Sequence, residues 1–533
     1  MRCILKLLFL YCLVLPGGAL AESAWEKDAS RYLQHLLATN ADNLPELNEP
    51  AITGFYQAHK YKPLWSNANG RLNRAYDLFD VISNAADEGL KPADYQLAEI
   101  RDYWNSNSAI ESAHLDLLMS AALYRYSMHV HSGRLTTNQL DPDWHIQHKP
   151  LDADSLFAKI AKSKLIATIL KQLPPQHSGY QLLKKQLRRY RELAQNGGWK
   201  RFEPGPILEP GIQHKQVLQL RRRLIISGDL DVNDLNDMDI YNRELENAVR
   251  QYQARHGLNA DGRVGPLTRN SLNIPVDDKI RQIRINMERW RWMPRYLGKR
   301  YLVVNMTGFE LYMMKNGSMV LDMPVIIGKA YRSTPSFSGW VSVMEYNPYW
   351  TIPTNLAFKD FIPRQIRDPG FLARKSIRVY RGWGDNAREI DPQTVNWRTL
   401  DKEHFPYWLR QDKGPKNALG RIKFLFSNPY EIYLHGTPDK HLFDRLVRTF
   451  SSGCIRVKDP VQLAAYLLND GSQQAEEDVL ANIHLGTNQS ISLPDSVPIY
   501  LIYWTAWVAH DGSMNFRRDI YNRDAHLNTL FDN

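Results

Sequence analysis

The apolar residues of this chain repeat with two different periods, and the change near residue 300 constrains the fold more than any other feature. Between Arg71 and Ala86, the residues Leu72, Ala75, Leu78, Phe79 and Ile82 recur at spacings of three and four, which places them on one helix face. Gly89 and Pro92 end that helix. Residues 115–131 and 182–193 read as two further helices, each closed by glycine, with Phe55, Tyr56, Tyr61 and Trp65 expected to pack between helices. From Arg300 the pattern shortens to β-rich runs at 301–304, 309–313, 323–327, 339–346, 431–434 and 497–503. Two periods in 533 residues predict a multidomain α+β protein whose β-rich part is a compact sandwich or barrel.

The first 21 residues carry Arg2 and Lys6, an apolar run from Leu7 to Leu15, and an Ala19-Leu20-Ala21 step before Glu22. This is the pattern of a cleavable export signal, too short to span a bilayer comfortably. The expected mature protein is therefore exported without stable membrane insertion. Its only thiol is Cys454, because Cys3 and Cys12 leave with the signal, so no internal disulfide framework can form. The net charge of +10 falls to +8 after cleavage. In an exported protein that charge suits an anionic envelope polymer better than nucleic acid. Residues 22–205 read as a helical scaffold domain without chemistry. His129 and His131 lie on different faces of their helix, which argues against a metal site there.

A linker rich in proline and glycine, from Glu203 to Gly211, precedes a small segment at 213–274. Val217, Leu220 and Leu224 form one helical stripe, and Leu245, Ala248, Val249 and Tyr252 form another. Gln253-Ala254-Arg255-His256-Gly257-Leu258 follows, and then residues 261–268, Asp-Gly-Arg-Val-Gly-Pro-Leu-Thr. The segment resembles a three-helix peptidoglycan-binding domain, with Tyr252 where that family usually has Phe. Residues 275–298 read as a connecting helix rich in Arg and Trp.

The residues with chemical potential stand together. Ser451-Ser452-Gly453-Cys454-Ile455-Arg456 follows His435-Gly436-Thr437 by under twenty positions. A lone thiol after a small turn, with a nearby histidine, is a nucleophile and base pair or a plain buried cysteine. Backbone N–H groups around Gly453 and Cys454 are candidate oxyanion donors. Arg456 suits a substrate carboxylate or an ordinary ion pair. Tyr433, Tyr346 and Trp350 are candidate pocket walls or core. A charged insertion at 357–417, with Trp383, Trp397 and Trp408 and with Gly370, Gly382 and Gly384, reads as a lid.

Residues 299–505 resemble the catalytic domain of an L,D-transpeptidase of the YkuD type. The match rests on the His-Gly step and the Ser-x-Gly-Cys stretch, where Ser452 replaces a more common second histidine. The helical region, the binding domain, the insertion, and residues 286–290 and 347–350 resemble the large periplasmic YcbB-like subgroup. This resemblance implies Cys454 as nucleophile, His435 as base, the Gly436 carbonyl holding the imidazole, and no metal or organic cofactor. Ser452 is excluded as an acid or base and retained as a substrate contact.

The implied reaction joins diaminopimelate residues of two peptidoglycan stem peptides in a 3→3 cross-link through a thioester. Stem peptides and glycan strands are the implied partners, with a glycan synthase or carboxypeptidase as a further one. Water or a protein amine as acceptor would make the same domain a carboxypeptidase or an anchoring enzyme. An NlpC/P60-type peptidase places its Cys before its His, the reverse of the order here. A non-enzymatic wall-binding scaffold leaves the Cys and His stretch unexplained. Residues 506–533 read as a C-terminal tail.

Overall fold

The computed structural model describes residues 23–39, 45–134, 141–231 and 239–531. The expected signal at 1–21 lies outside the described residues. The chain forms two compact units, one from residues up to 131 with 150–174, the other from 132–149 with 175–533.

The first unit is helical and is built on Ala109–Ser132. Leu115, Leu117, Met119, Ala121, Ala122 and Leu123 of that helix are all buried, so it is apolar around most of its circumference, as a central helix must be. Its one buried acid, Asp116, accepts from the Leu64 and Trp65 N–H groups at 2.9 and 2.8 Å and from the Tyr56 hydroxyl at 2.6 Å. Burial pushes this carboxyl up to about 6. His129 hydrogen-bonds to Tyr95 at 3.1 Å.

In the second unit the three helices Lys215–Ser227, Arg243–Arg255 and Pro266–Leu272 enclose Val217, Leu220, Leu224, Leu245, Val249 and Tyr252, the stripes expected from the sequence. The helix Val276–Arg291 is not a surface connector. Asn286, Met287, Glu288 and Arg289 are fully buried, Trp290 stacks on Trp504 at 4.2 Å, and Gly179 backs directly onto the Trp290 ring. Arg289 donates to Asp524 at 2.6 Å. Asp524 accepts from Thr505 at 2.5 Å, and Thr505 exchanges two hydrogen bonds with Asn286, at 2.8 and 2.9 Å. The expected tail is therefore part of this core. It folds as the hairpin Ala506–Val508 with Met514–Phe516 and the helix Arg523–Phe531.

The β-rich region is a closed circuit. Neighbour by neighbour, Ser318–Gly328 pairs with Glu310–Lys315, then Arg300–Asn305, Gln489–Ile502, Phe337–Tyr346, Ile422–Phe426, Leu434–His435 and Ile455–Val457, which returns to Ser318–Gly328. Closure removes the exposed sheet edges. Leu302, Val304, Val325, Ile327, Val341, Met344, Phe424, Leu434, Ile455 and Leu501 fill its core. The strand expected at 431–434 is reduced to Leu434–His435. Glu431 has φ +54°, outside the extended region, so the chain turns there despite its β-favouring side chains.

The insertion is a folded subdomain that starts earlier than expected, at Trp350. Its four antiparallel strands run in the order Trp350–Ile352, Tyr407–Gln411, Ile377–Arg381, Arg388–Ile390 over a core that includes Leu372, Val379 and Leu409. Gly382 (φ +80°) and Gly384 (φ +58°) form a tight turn between the last two strands. A Cβ on Gly382 would meet the Asn386 carbonyl oxygen at 2.6 Å, so this glycine is required by shape.

Breaking a buried pair strands its partner's charge. Asp524→Ala should therefore cost the second unit about 3–5 kcal/mol, read as a lower denaturant midpoint. Adding Arg289→Met should recover part of the loss. An unchanged midpoint for Asp524→Ala would show that the pair does not hold the core.

Candidate active site

Cys454 sits at the end of a three-residue turn between Thr449–Ser451 and Ile455–Val457. The turn depends on Gly453, whose φ of +122° is strained for any residue with a Cβ. The Gly453 N–H donates to Ser451 Oγ at 3.2 Å, Ser451 Oγ donates to the Cys454 carbonyl at 2.5 Å, and Thr334 Oγ1 donates to the Gly453 carbonyl at 2.8 Å. Gly453 thus shapes the turn with both of its backbone groups engaged. The Cys454 N–H has no acceptor among the described residues.

The strand Leu434–His435 lies parallel to Ile455–Val457, with Leu434 opposite Ile455 and His435 opposite Arg456. The Ile455 N–H donates to the Tyr433 carbonyl at 3.1 Å. That register brings the imidazole and the thiol to one end of adjacent strands. His435 Nδ1 lies 2.5 Å from the Gly436 carbonyl oxygen, which assigns the ring proton to Nδ1 and leaves Nε2 as an acceptor. Cys454 Sγ lies 3.7 Å from the Glu431 carbonyl oxygen. Tyr433 hydrogen-bonds to the thiol, and its ring centroid is 5.6 Å from that of His435. Among the described residues the thiol's partners are Glu431 and Tyr433, not the imidazole.

The electrostatics favour a neutral resting pair. Burial, with the charges of Arg456 and Lys423, pulls His435 down to about 3. Burial pushes the Cys454 thiol up, against the opposing pull of Tyr433, Lys423 and Arg456. Burial and the neighbouring thiol also push the Tyr433 phenol up, while Trp350 hydrogen-bonds to it. Lys423 Nζ stands 4.2 Å from the centre of the Tyr433 ring.

The other expected residues divide. Arg456 reaches Asp439 at 3.3 Å, while its buried Nε has no partner. Ser452 Oγ is 2.7 Å from Arg332, which also pairs with Asp360 of the insertion at 2.7 Å. Trp350 meets the site through Tyr433. Tyr346 is fully buried in the sheet core with its hydroxyl unpartnered, so it is a packing residue and not a pocket wall.

Thr334, Arg332, Lys423 and the Glu431 carbonyl were not anticipated. Each comes from a segment distant in sequence or acts through its backbone, and nothing in the local pattern marks them. No group of His, Cys, Asp and Glu among the described residues could hold a metal ion. No helix among them is long and apolar enough to cross a membrane.

Three family models match the chain: an L,D-transpeptidase catalytic domain over residues 299–487, a "Putative peptidoglycan binding domain" over 213–272, and a Scaffold domain over 50–187. A "Putative L,D-transpeptidase" of Haemophilus influenzae is 31% identical over 249 residues, which are 46% of this chain and 49% of that protein. The chain thus spans about half the length of that relative. An L,D-transpeptidase structure from Xylanimonas cellulosilytica shares 15% identity, covers 56% of this chain and all of its own, and superposes with a TM-score of 0.18. One from Stackebrandtia nassauensis shares 12% identity, covers 55% of this chain and 94% of its own, with a TM-score of 0.21. Superpositions that weak carry no argument. The sequence matches do: residues 299–487 match an L,D-transpeptidase catalytic domain of the YkuD type, and residues 213–272 match a peptidoglycan-binding domain.

Proposed function

We propose that the chain is a periplasmic cysteine acyltransferase that forms 3→3 cross-links between diaminopimelate residues of peptidoglycan stems. The observation that carries this reading is the strand register that sets the Cys454 thiol, on a left-handed glycine turn, at the same end as a histidine whose Nδ1 is held by its neighbour's carbonyl. As Sγ attacks the carbonyl carbon of the third stem residue, the thiol proton passes to His435 Nε2. The Cys454 N–H faces the developing oxyanion. Collapse of the adduct breaks the amide bond to the terminal D-alanine, whose amine leaves with the proton from His435. The amine of a neighbouring diaminopimelate then attacks the thioester, His435 takes its proton, and the expelled thiolate is reprotonated. Arg456, with a spare Nε donor, suits a stem carboxylate.

Cys454→Ser should abolish cross-linked dimer formation from purified stem peptides, because the hydroxyl is a far weaker nucleophile under the same base. His435→Ala should lower turnover by roughly 10²–10⁴-fold. Dimer formation by Cys454→Ser at near wild-type rates would remove the thiol from the mechanism.

The pH dependence has a definite sign. With His435 lowered to about 3, the base stays neutral through the weakly acidic range, so activity should show no loss around pH 6.5. It should rise with pH as the raised thiol deprotonates more readily. A falling acidic limb centred near pH 6.5 in kcat/KM of the free enzyme would contradict the neutral pair.

The insertion closes over the thioester and limits attack by water in this reading. Arg332 ties it to the turn, joining Asp360 to Ser452. Arg332→Ala should therefore raise the ratio of hydrolysed stem to cross-linked dimer, measured by chromatography of the products. An unchanged ratio would separate the insertion from acceptor choice.

A further inference from the structure

The outer hairpin of the insertion carries a ladder of rings that neither the folding of its core nor the chemistry at Cys454 uses. Trp383, on the turn between Ile377–Arg381 and Arg388–Ile390, is 69% exposed. One indole face stacks on Trp408 with centroids 5.0 Å apart and planes within 10°. Trp408 in turn stacks on Tyr380 at 4.5 Å and 19°. The guanidinium of Arg410 lies 4.7 Å from the centre of the Tyr380 ring and 4.5 Å from that of Tyr349. The ladder is held rigidly: Trp408 Nε1 donates to the Gly382 carbonyl at 2.6 Å, and Arg410 donates to the Tyr380 hydroxyl at 2.6 Å.

A singly exposed indole is common on protein surfaces; Trp383 is set apart because one of its faces is stacked on a second indole while the ring remains open to solvent. Two further observations restrict the occupant. The ring is flat, backed by a second indole and rigid, so it is preorganised to take a second flat apolar face, such as the C–H face of a pyranose. Its surroundings are cationic: Arg381 and Arg388 face each other across the hairpin, and residues 357–417 hold 13 Lys and Arg against eight Asp and Glu. That net charge of +5 is half of the whole chain's +10. A polymer of amino sugars bearing carboxylate-rich peptides complements both features at once. Tyr349, at the base of the ladder, is followed by Trp350, which hydrogen-bonds to Tyr433 beside the thiol.

We infer that Trp383 is a platform on which a sugar ring of the glycan strand stacks, a second glycan-binding site on the catalytic domain distinct from residues 213–272. The inference rests on peptidoglycan being the substrate but not on the thioester chemistry, so it can be tested in a protein without the nucleophile. In full-length Cys454→Ser, binding of stem-free glycan strands is followed by intrinsic fluorescence and co-sedimentation, with and without Trp383→Ala. Loss of the indole should weaken binding about three- to tenfold, remove a glycan-induced fluorescence change, and be partly rescued by Trp383→Phe.

In the active enzyme, Trp383→Ala should slow cross-linking of polymeric wall but leave turnover of a soluble stem peptide unchanged. Unchanged affinity together with an unchanged fluorescence response would overturn the inference. So would a fluorescence response given by anionic lipid vesicles and not by glycan, which would assign the indole to a membrane surface. Failure of the thioester mechanism would appear separately, as activity in Cys454→Ser.

Discussion

The parallel pairing of Leu434–His435 with Ile455–Val457 is the constraint on which the candidate site depends. Each strand is only two or three residues long, so neither would persist alone. They are held because Ile422–Phe426 flanks one and Ser318–Gly328 the other, inside a closed circuit that has no free edge between them. A slip of one residue would set His435 level with Ile455 and force either the imidazole or Arg456 toward the core. The apolar inward set of Leu434, Ile455 and Val457 forbids that slip. Core packing of three aliphatic residues therefore fixes the relation between His435 and Cys454.

The same logic explains which parts of the site were legible in the sequence. Cys454, His435, Gly436 and Tyr433 lie within twenty-two positions of one another, and their types announce nucleophile and base chemistry. Thr334 holds the Gly453 carbonyl from 119 positions away, and Arg332 reaches Ser452 from 120. Such links are made by tertiary packing, and no local pattern encodes them. The turn at Glu431 was hidden for another reason. Ile432, Tyr433 and Leu434 favour strands, but Asn428 holds the turn by accepting from the Tyr430 and Ile432 N–H groups and donating to the Ile432 carbonyl.

The fold shows a similar division. Helical stripes such as Val217, Leu220 and Leu224 were legible because their spacing is local. The helix Val276–Arg291 was legible as a helix, but the burial of Arg289, Glu288 and Arg291 was not. They are buried because Asp524, 235 residues later, neutralises Arg289, and because Glu288 and Arg291 pair with each other at 2.6 Å. The C-terminal residues read only as a tail for the same reason. Asp524 has no meaning as a sequence feature until the helix it neutralises is in place. The insertion's charge and aromatic content suggested a covering element, but its own core, with Leu372, Val379 and Leu409, is visible only once four short strands are paired.

The neutral resting state of His435 and Cys454 and the enclosure of the site have one physical origin. Burial penalises the imidazolium and the thiolate alike, so proton transfer between them at rest is disfavoured even though Arg456 and Lys423 favour a negative sulfur. Those two cations oppose a charge on His435 while assisting one on Cys454, so an ion pair at rest would gain on one partner what it loses on the other. In the proposed reaction, attack on a carbonyl would change that balance. Negative charge then moves from sulfur to an oxygen facing the Cys454 N–H, and the proton on His435 needs to persist only until the leaving amine takes it. A site arranged in this way holds its thiol unreactive toward adventitious electrophiles and oxidants, which favour the thiolate. It commits the proton only when an acyl donor is in place. In the proposed reaction, the same partial exclusion of water that disfavours an ion pair at rest would also limit attack of water on a thioester.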